Sequence, residues 1–506
     1  MLEKIDNFLN SITMYRLVLY GLLVISFFAI LLGFFGFLPF SGLQLLFGSL
    51  LILIVCYISN KLFSVIFQAP TNIESGYITS LILFLIVSPP SNPNETLPLI
   101  LASVLATGSK YLFTFRRKHF FNPAAISLFI LGLLGYGEVI WWVGSTVLLP
   151  VVLMAGLLIV RKIRRFHLFF SFLITGIVII LTYRIFDKGN LIISLTEIFT
   201  SWPLIFFGTI MLTEPLTTPP TKKLQILYGI IVGIFFGFPF HIGPLYSTPE
   251  LSLLIGNIFS YLVSSKQRLK LKLIKKEQIA PLVHEFTFMP DKKLSYLSGQ
   301  YLEWTLPHTN PDTRGNRRYF TVASSPTEKE VKLAIKAYPT SSSSFKKALI
   351  GLSPGRYLFA SQLAGDFTLP KDKNRKLVFI AGGIGITPFR SMIQYLIHKS
   401  EKRNIILFYA VSNADEMVYK NILDQSVKKL GIKIIYVLTN SQKIPSSWKG
   451  KTGYITPDMI IKEVPDFVYR LFYLSGPDAM VRSYKKMLSY LSIPKNNIIC
   501  DYFPGF

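Results

Sequence analysis

The chain has 506 residues, is 51% hydrophobic and carries a formal net charge of +26. Its two cysteines, Cys56 and Cys500, are too few for a disulfide framework, a cysteine zinc site or a cysteine-ligated iron–sulfur cluster, and no metal site is expected. The positive charge does not point to nucleic acid. The basic residues lie largely in short loops between apolar runs and in "SSKQRLKLKLIKK" after the last run, where the positive-inside rule and anionic headgroups account for them.

Long apolar runs fill the chain from Met14 to about Val263. They predict a polytopic helical membrane domain at 1–265 with about ten spans, each crossing needing about 20 residues. The spans start near Met14, Gly42, Tyr77, Leu97, Pro123, Gly144, His167, Ser201, Leu224 and Leu251. Those at Tyr77, Leu97 and Ser201 are short and are expected to be tilted, broken or re-entrant. The first run lacks a small-residue cleavage signature, so it is expected to be an anchor rather than a removed signal peptide. The loops "KYLFTFRRKH", "RKIRRFH" and "TKK" fall on one side, and the Lys/Arg-poor "SPPSNPNET", "FDKGN" and "HIGPLYSTPE" on the other. With an even span count, both termini are then cytoplasmic and the protein sits in the cell membrane.

After Leu271 the pattern changes. "KLIKKEQIAPLVHEFTFMP", "LSGQYLEWTLP" and "RRYFTVASSP" read as short strands with turns, predicting an antiparallel barrel at 266–370. From Lys376, "KLVFIAGGIGITPFRSMIQYLIHKS" and "NIILFYAVSNADEMVYKNILDQSVKKLG" repeat strand, glycine turn and helix, predicting a parallel α/β domain at 371–506.

In this order the two modules resemble the ferredoxin–NADP+ reductase family, over nearly all of residues 268–506. "RYFTVAS" matches its flavin signature. The resemblance implies that Arg318 faces the FAD pyrophosphate, that Phe320, next to Tyr319, packs on the isoalloxazine, and that Thr321 lies near flavin N5, with Ser324 closing the motif. A guanidinium suits phosphate oxygens bidentately. "SSSSFKKALIGLSPG" is similar to the second phosphate-binding element, a helix start whose free N–H groups seat an anion; Ser343 and Ser344 are favoured within the serine run. "AGGIGITP" matches the nucleotide fingerprint, with Gly382, Gly383 and Gly385 admitting the pyrophosphate, Thr387 capping the next helix and Pro388 beside it. "YLSGPDAMV" is similar to the Cys-Gly-Pro motif near the nicotinamide, with Ser475 in place of the Cys, then Gly476, Pro477 and Met480. The terminal "CDYFPGF" resembles the acidic–aromatic end that brings Asp501 and Phe503 near the flavin. Thr321, Ser475 and Asp501 are thus the catalytic candidates. Ser412, Asn413 and Asn440, with Asp415 and Glu416 close by, stand where NADPH-preferring relatives carry Arg or Lys, which favours NADH over NADPH.

A two-haem membrane domain needs paired histidines within spans, and here His119, His167 and His241 all fall at span ends. Instead "SGYITSLILFLIVSPP", "FFNPAAISLFI" and "FFGTIMLTEPLTTPPTK" are similar, in order, to segments of one family of FMN-carrying membrane proteins, found in the Na+-translocating NADH:quinone reductase and in the Rnf complex. Members of that family hold FMN often on a Thr of a Gly-Ala-Thr motif that "FDKGNLIISLTEIFTSWP" lacks. The resemblance therefore leaves room for a second, non-covalent FMN, with Asn122, Thr213 and Glu214 as the candidate pocket edge. Asn122-Pro123 is also explained as a plain helix cap, and Glu214 as a solvated carboxylate.

The function these expectations imply is membrane-bound NAD(P)H dehydrogenation: NADH to FAD, then electrons into the membrane domain. The acceptor, whether quinone, flavin or external, stays open, as does the oligomeric state. The alternative is a reductase with a diffusible acceptor, whose helical domain is only an anchor or a small-molecule transporter.

Overall fold

The computed structural model describes the chain apart from residues 1–4, 7, 10–11, 68–72, 116–117, 137–138, 189, 201, 244, 265–267, 313–314, 441–443 and 502–506. Among the described residues the chain divides into two compact units, one up to residue 264 and the other from Arg268 to Asp501.

The first unit is helical. Its elements are α1 (Met14–Phe34), α2 (Gly42–Ile66), α3 (Ile73–Ile86), α4 (Thr96–Leu112), α5 (Pro123–Leu133), α6 (Leu149–Ile163), α7 (Phe166–Phe186), α8 (Leu191–Thr200), α9 (Leu204–Met211), α10 (Lys222–Gly237) and α11 (Pro249–Val263). Side-chain caps fix several starts. The Thr13 hydroxyl accepts from Arg16 N–H, Ser41 and Gln44 form a capping box, and Asn122 accepts from Ala125 N–H just ahead of Pro123. Among the described residues three helices, α1, α2 and α7, are long and apolar enough to cross a membrane. The pair α8 and α9, bent by 56°, makes a fourth if it is one span. Helices α3, α4, α5, α6, α10 and α11 run 11 to 17 residues, short of the roughly 20 of a full crossing. Helix α10 packs closely on α7. A Cβ on Gly229, Gly233 or Gly237 would stand 2.8–2.9 Å from the Leu168, Phe172 and Gly176 carbonyls, so this small-residue stripe is what lets the two backbones meet.

The second unit joins two sheets. Strands β1 (Leu269–Ala280), β2 (Val283–Pro290), β3 (Tyr301–Thr305), β4 (Arg317–Thr321), β5 (Val331–Lys336) and β6 (Tyr357–Ala364) pair antiparallel in the order β4-β3-β6-β1-β2-β5, with α12 (Ser344–Ile350) between β5 and β6. Period-two alternation sends Leu269, Leu271 and Leu273 into a core with Phe286, Phe288 and Trp304. Then come β7 (Leu377–Gly382), α13 (Thr387–Lys399), β8 (Ile405–Val411), α14 (Lys420–Leu430), β9 (Lys433–Leu438), β10 (Lys451–Thr452), α15 (Pro457–Glu463), β11 (Leu471–Ser475), α16 (Asp478–Tyr490) and β12 (Ile498–Cys500). These strands are all parallel, in the order β10-β9-β8-β7-β11-β12. Every residue of β7 is buried, as a strand covered on both faces requires.

A buried ion pair ties the barrel to α13. Arg390 donates to both Glu328 oxygens and to the Ala323 carbonyl, and the Ser391 hydroxyl donates to the Ser324 carbonyl. Burial pushes the Glu328 carboxyl up, yet the Arg390 hydrogen bonds outweigh it and hold the group below its ordinary range. Arg390→Ala leaves that carboxylate without its partner and is expected to destabilise the second unit by about 3 kcal/mol, read as an earlier denaturant midpoint in a full-chain melt.

Candidate functional site

The order of the parallel sheet places its switch point between β7 and β11, because the chain runs outward from β7 to β10 before crossing back to β11. Ligands of such sheets bind at the carboxyl ends of the strands, at that crevice. Both glycine motifs end there. Gly383 takes φ +53° and lets the chain turn off β7. A Cβ on Gly385 would fall on the Ser475 carbonyl, and at 2.6 Å from the Gly476 Cα. The Met480 thioether lies where a Cβ on Gly382 or Gly476 would go, and Pro477 is 3.4 Å from the Gly382 position. The two loops thus form one backbone cradle, packed so closely that no Cβ fits at Gly382, Gly385 or Gly476.

One expectation is corrected here. Thr387 is not the helix cap. A 3-10 turn, Gly383–Ile386, runs directly into α13, so no extended residue precedes the helix; Thr387 is already helical and its hydroxyl donates to the Ile384 carbonyl. Pro388 occupies the first turn behind it, where its missing N–H is harmless.

The three catalytic candidates converge from three elements. Ser475, ending β11, donates its hydroxyl to Asp501 Oδ2 at 2.9 Å, and Thr321, ending β4, hydrogen-bonds the same carboxyl. Asp501 follows β12 and its N–H donates to the Leu474 carbonyl. Burial pushes the Asp501 carboxyl up to about 7, against the downward pull of the Ser475 and Thr321 hydrogen bonds. Phe503 lies outside the described residues.

Along β4 the faces alternate. Arg318 and Phe320 both lie against Phe345 of α12, at 5.5 and 5.9 Å from its ring centre. Tyr319 shares Thr321's face, with its ring 5.7 Å from Tyr301 and its hydroxyl donating to Glu303. Arg318 donates to Asp312 at 2.7 Å, and the other Asp312 oxygen accepts from Ser344 N–H at 3.1 Å. Guanidinium and helix start therefore share one anion. Ser343 is the N-cap of α12, and Ser344, the first helical residue, accepts from Asp312 N–H. Ser324 is fully buried, its hydroxyl bridging Tyr296 and Lys332 N–H. Beyond β8, Glu416 is held by Lys336 at 2.7 Å and Asn413 at 3.0 Å, while Asp415 is exposed.

In the first unit, Asn122 Nδ2 donates to Glu214 at 2.9 Å, and both line a mostly apolar cavity with Thr213, Ser75, Val18 and Ile210. Five residues of π-helix, Phe207–Met211, bring the chain to Thr213 and Glu214; such wide turns recur at functional sites. Asn257, on α11, accepts from Asn122 N–H and donates to the Tyr228 hydroxyl, and the buried Arg165 donates to the Thr213 carbonyl and the Thr218 hydroxyl. Sequence reasoning passed over Asn257, Tyr228 and Arg165; polar side chains standing within or directly beside apolar runs were the available signal.

Residues 379–486 match the family model described as an oxidoreductase NAD-binding domain. The chain is 32% identical to NADH-cytochrome b5 reductase 1 of Ajellomyces capsulatus, over 36% of this chain and 60% of that protein. It is 24% identical to a flavohemoprotein of Bacillus cereus, over 46% of this chain and 60% of that protein. A flavohemoglobin from Malassezia yamatoensis, solved with bound FAD and heme, aligns at a TM-score of 0.43 and 20% identity, covering 60% of this chain and 74% of that one. The chain thus spans about 60% of the length of the first two relatives. Within the second unit, the glycine cradle falls inside the stretch that matches the oxidoreductase NAD-binding domain model.

Proposed function

We propose that the chain is a membrane-bound NADH dehydrogenase whose second unit holds FAD and whose first unit receives the electrons. The observation that carries this reading is the meeting of Thr321, Ser475 and Asp501 beside two glycine loops that pack too closely to admit a Cβ. FAD, when bound, accepts a hydride from a nicotinamide and passes electrons on singly. The donor set fits it. Arg318 and the Ser344 N–H already converge on one carboxylate, Asp312, an arrangement that suits a pyrophosphate in its place. Gly382, Gly383 and Gly385, with Gly476 and Pro477, give the nicotinamide nucleotide its seat, and Met480 packs beneath it. Phe320 shares the Arg318 face of β4 and would pack on the flavin, with Tyr319 on the face of Thr321. Glu416 and Asp415 disfavour a 2′-phosphate and favour NADH, since a further anion there meets carboxylates.

The membrane reading extends the same proposal. Three to four helices are long and apolar enough to cross a membrane, and the basic loops on one side favour cytoplasmic termini. The Asn122–Glu214 cavity, with Thr213, is the candidate place for the acceptor, whether a non-covalent FMN or a quinone.

Purified full-length protein is expected to retain flavin, and NADH to bleach it; a preparation that never carries flavin rejects the proposal. Arg318→Ala is expected to weaken flavin retention by about tenfold or more, because a charge-assisted hydrogen bond contributes about 1.5–3 kcal/mol. The flavin-to-protein absorbance ratio after dilution measures it.

A further inference from the structure

We infer that the outer face of β6, β1 and β2 is a docking surface for the headgroups of an anionic lipid leaflet. The strand register assembles it. Lys272 stands directly opposite Tyr357 on one side and Met289 on the other, and Lys270 stands opposite Phe359. The Lys270 ammonium lies 4.2 Å over the Tyr357 ring, and the Arg268 guanidinium 4.2 Å over the Phe359 ring. While Leu269, Leu271 and Leu273 turn into the barrel core, Tyr357, Met289 and Ile274 stay 46%, 43% and 43% exposed. One face therefore carries three cations, two aromatic rings and two exposed aliphatic side chains, with Asp291 as the carboxylate at its edge, bound to Lys270 N–H.

An ordinary solvated strand shows cations alone. Cations that lie over aromatic rings beside exposed Met and Ile match the layered chemistry of a lipid interface, where charge meets phosphate and rings and aliphatic groups enter the headgroup boundary. Chain connectivity supplies the second argument. The last apolar helix ends at Val263 and β1 begins at Leu269, so the linker can span only about 20 Å. If α11 is a membrane helix, the face is held within reach of the leaflet at a high effective concentration, and weak contacts suffice. The inference rests on the membrane reading proposed above, and not on the reductase chemistry.

The test uses the full chain in nanodiscs of phosphatidylcholine alone or mixed with phosphatidylglycerol, with Tyr357→benzoylphenylalanine as a photo-crosslinking probe. Lipid adducts are expected at about fivefold or more higher yield with phosphatidylglycerol at low salt, since even one cation near an anionic leaflet gives about a fivefold preference. That excess is expected to vanish in high salt and in Lys270→Glu/Lys272→Glu, and to persist in Lys270→Arg/Lys272→Arg. NADH-driven flavin bleaching in the same samples is expected to be unchanged by these variants, which reports an intact second unit. Equal yields in both discs overturn the inference, as do adducts formed in native membranes with protein and not with lipid, which would make the face a protein-docking surface. A chain that does not co-purify with the discs overturns the inference together with the membrane reading, whereas loss of bleaching in the unsubstituted chain refutes only the reductase reading.

Discussion

A Gly385→Ala chain is expected to keep its flavin and to lose reduction by NADH by a factor of a hundred or more. The added methyl group would fall on the Ser475 carbonyl and 2.6 Å from the Gly476 Cα. Both are backbone atoms of the strand end that faces the fingerprint loop, so no side-chain rotamer can give way, as the Met480 thioether could at Gly382. Either the 3-10 turn Gly383–Ile386 or the Ser475–Gly476 turn must move, and both line the cradle. Overpacking of this kind costs about 1–3 kcal/mol in stability, which a folded unit can absorb. Displacing a reacting group by an ångström is far more damaging to rate. Stopped-flow mixing with NADH reads the loss, while dithionite is expected to bleach the same flavin normally. A variant that accepts hydride at the unsubstituted rate removes the cradle from the nucleotide site.

The antiparallel strands and the parallel α/β module were legible in the sequence because their signals are local. Alternation, glycine turns and "KLVFIAGG" each span fewer residues than one strand–turn–helix unit. What was not legible depended on geometry between distant residues. Asn122 and Glu214 lie 92 positions apart, and only the packing of the first unit shows that one donates to the other. Asn257 and Tyr228 join them through a further pair of helices. Thr387 looked like a cap because a Thr before a helix usually is one; the 3-10 turn ahead of it uses a backbone path that pattern alone does not reveal. On β4, period-two alternation puts Phe320 with Arg318 on Phe345, and Tyr319 with Thr321.

The rate of flavin reduction by NADH is expected to fall as pH rises through about 7, and Asp501→Asn is expected to flatten that profile. When Asp501 is ionised, its carboxylate only accepts, and the Ser475 and Thr321 hydroxyls both turn their protons toward it. When it is protonated, its own O–H becomes a donor within the cluster. One of the two hydroxyls then accepts from it and has its own proton available for a partner in the cleft, where negative charge develops during hydride arrival. The sign follows from the shift. Burial raises the folded carboxyl to about 7, above its unfolded value, so the protonated form is favoured by the fold. Its stabilising contribution is complete below the unfolded value of about 4 and is lost as pH climbs through about 7. Asp501→Asn keeps a neutral donor in place at every pH, so its rate above pH 8 is expected to exceed that of Asp501→Ala by about tenfold or more. Asp501→Ala is expected to lose about a hundredfold at pH 6, in the range that positioned acid–base groups contribute. Thr321→Val serves as the companion variant, because it removes one of the two hydroxyls while leaving the carboxyl and Ser475 in place. If Thr321→Val retains both the rate and the pH profile, the carboxyl acts through Ser475 alone; if Ser475→Ala retains them as well, Asp501 is reduced to holding the end of β11.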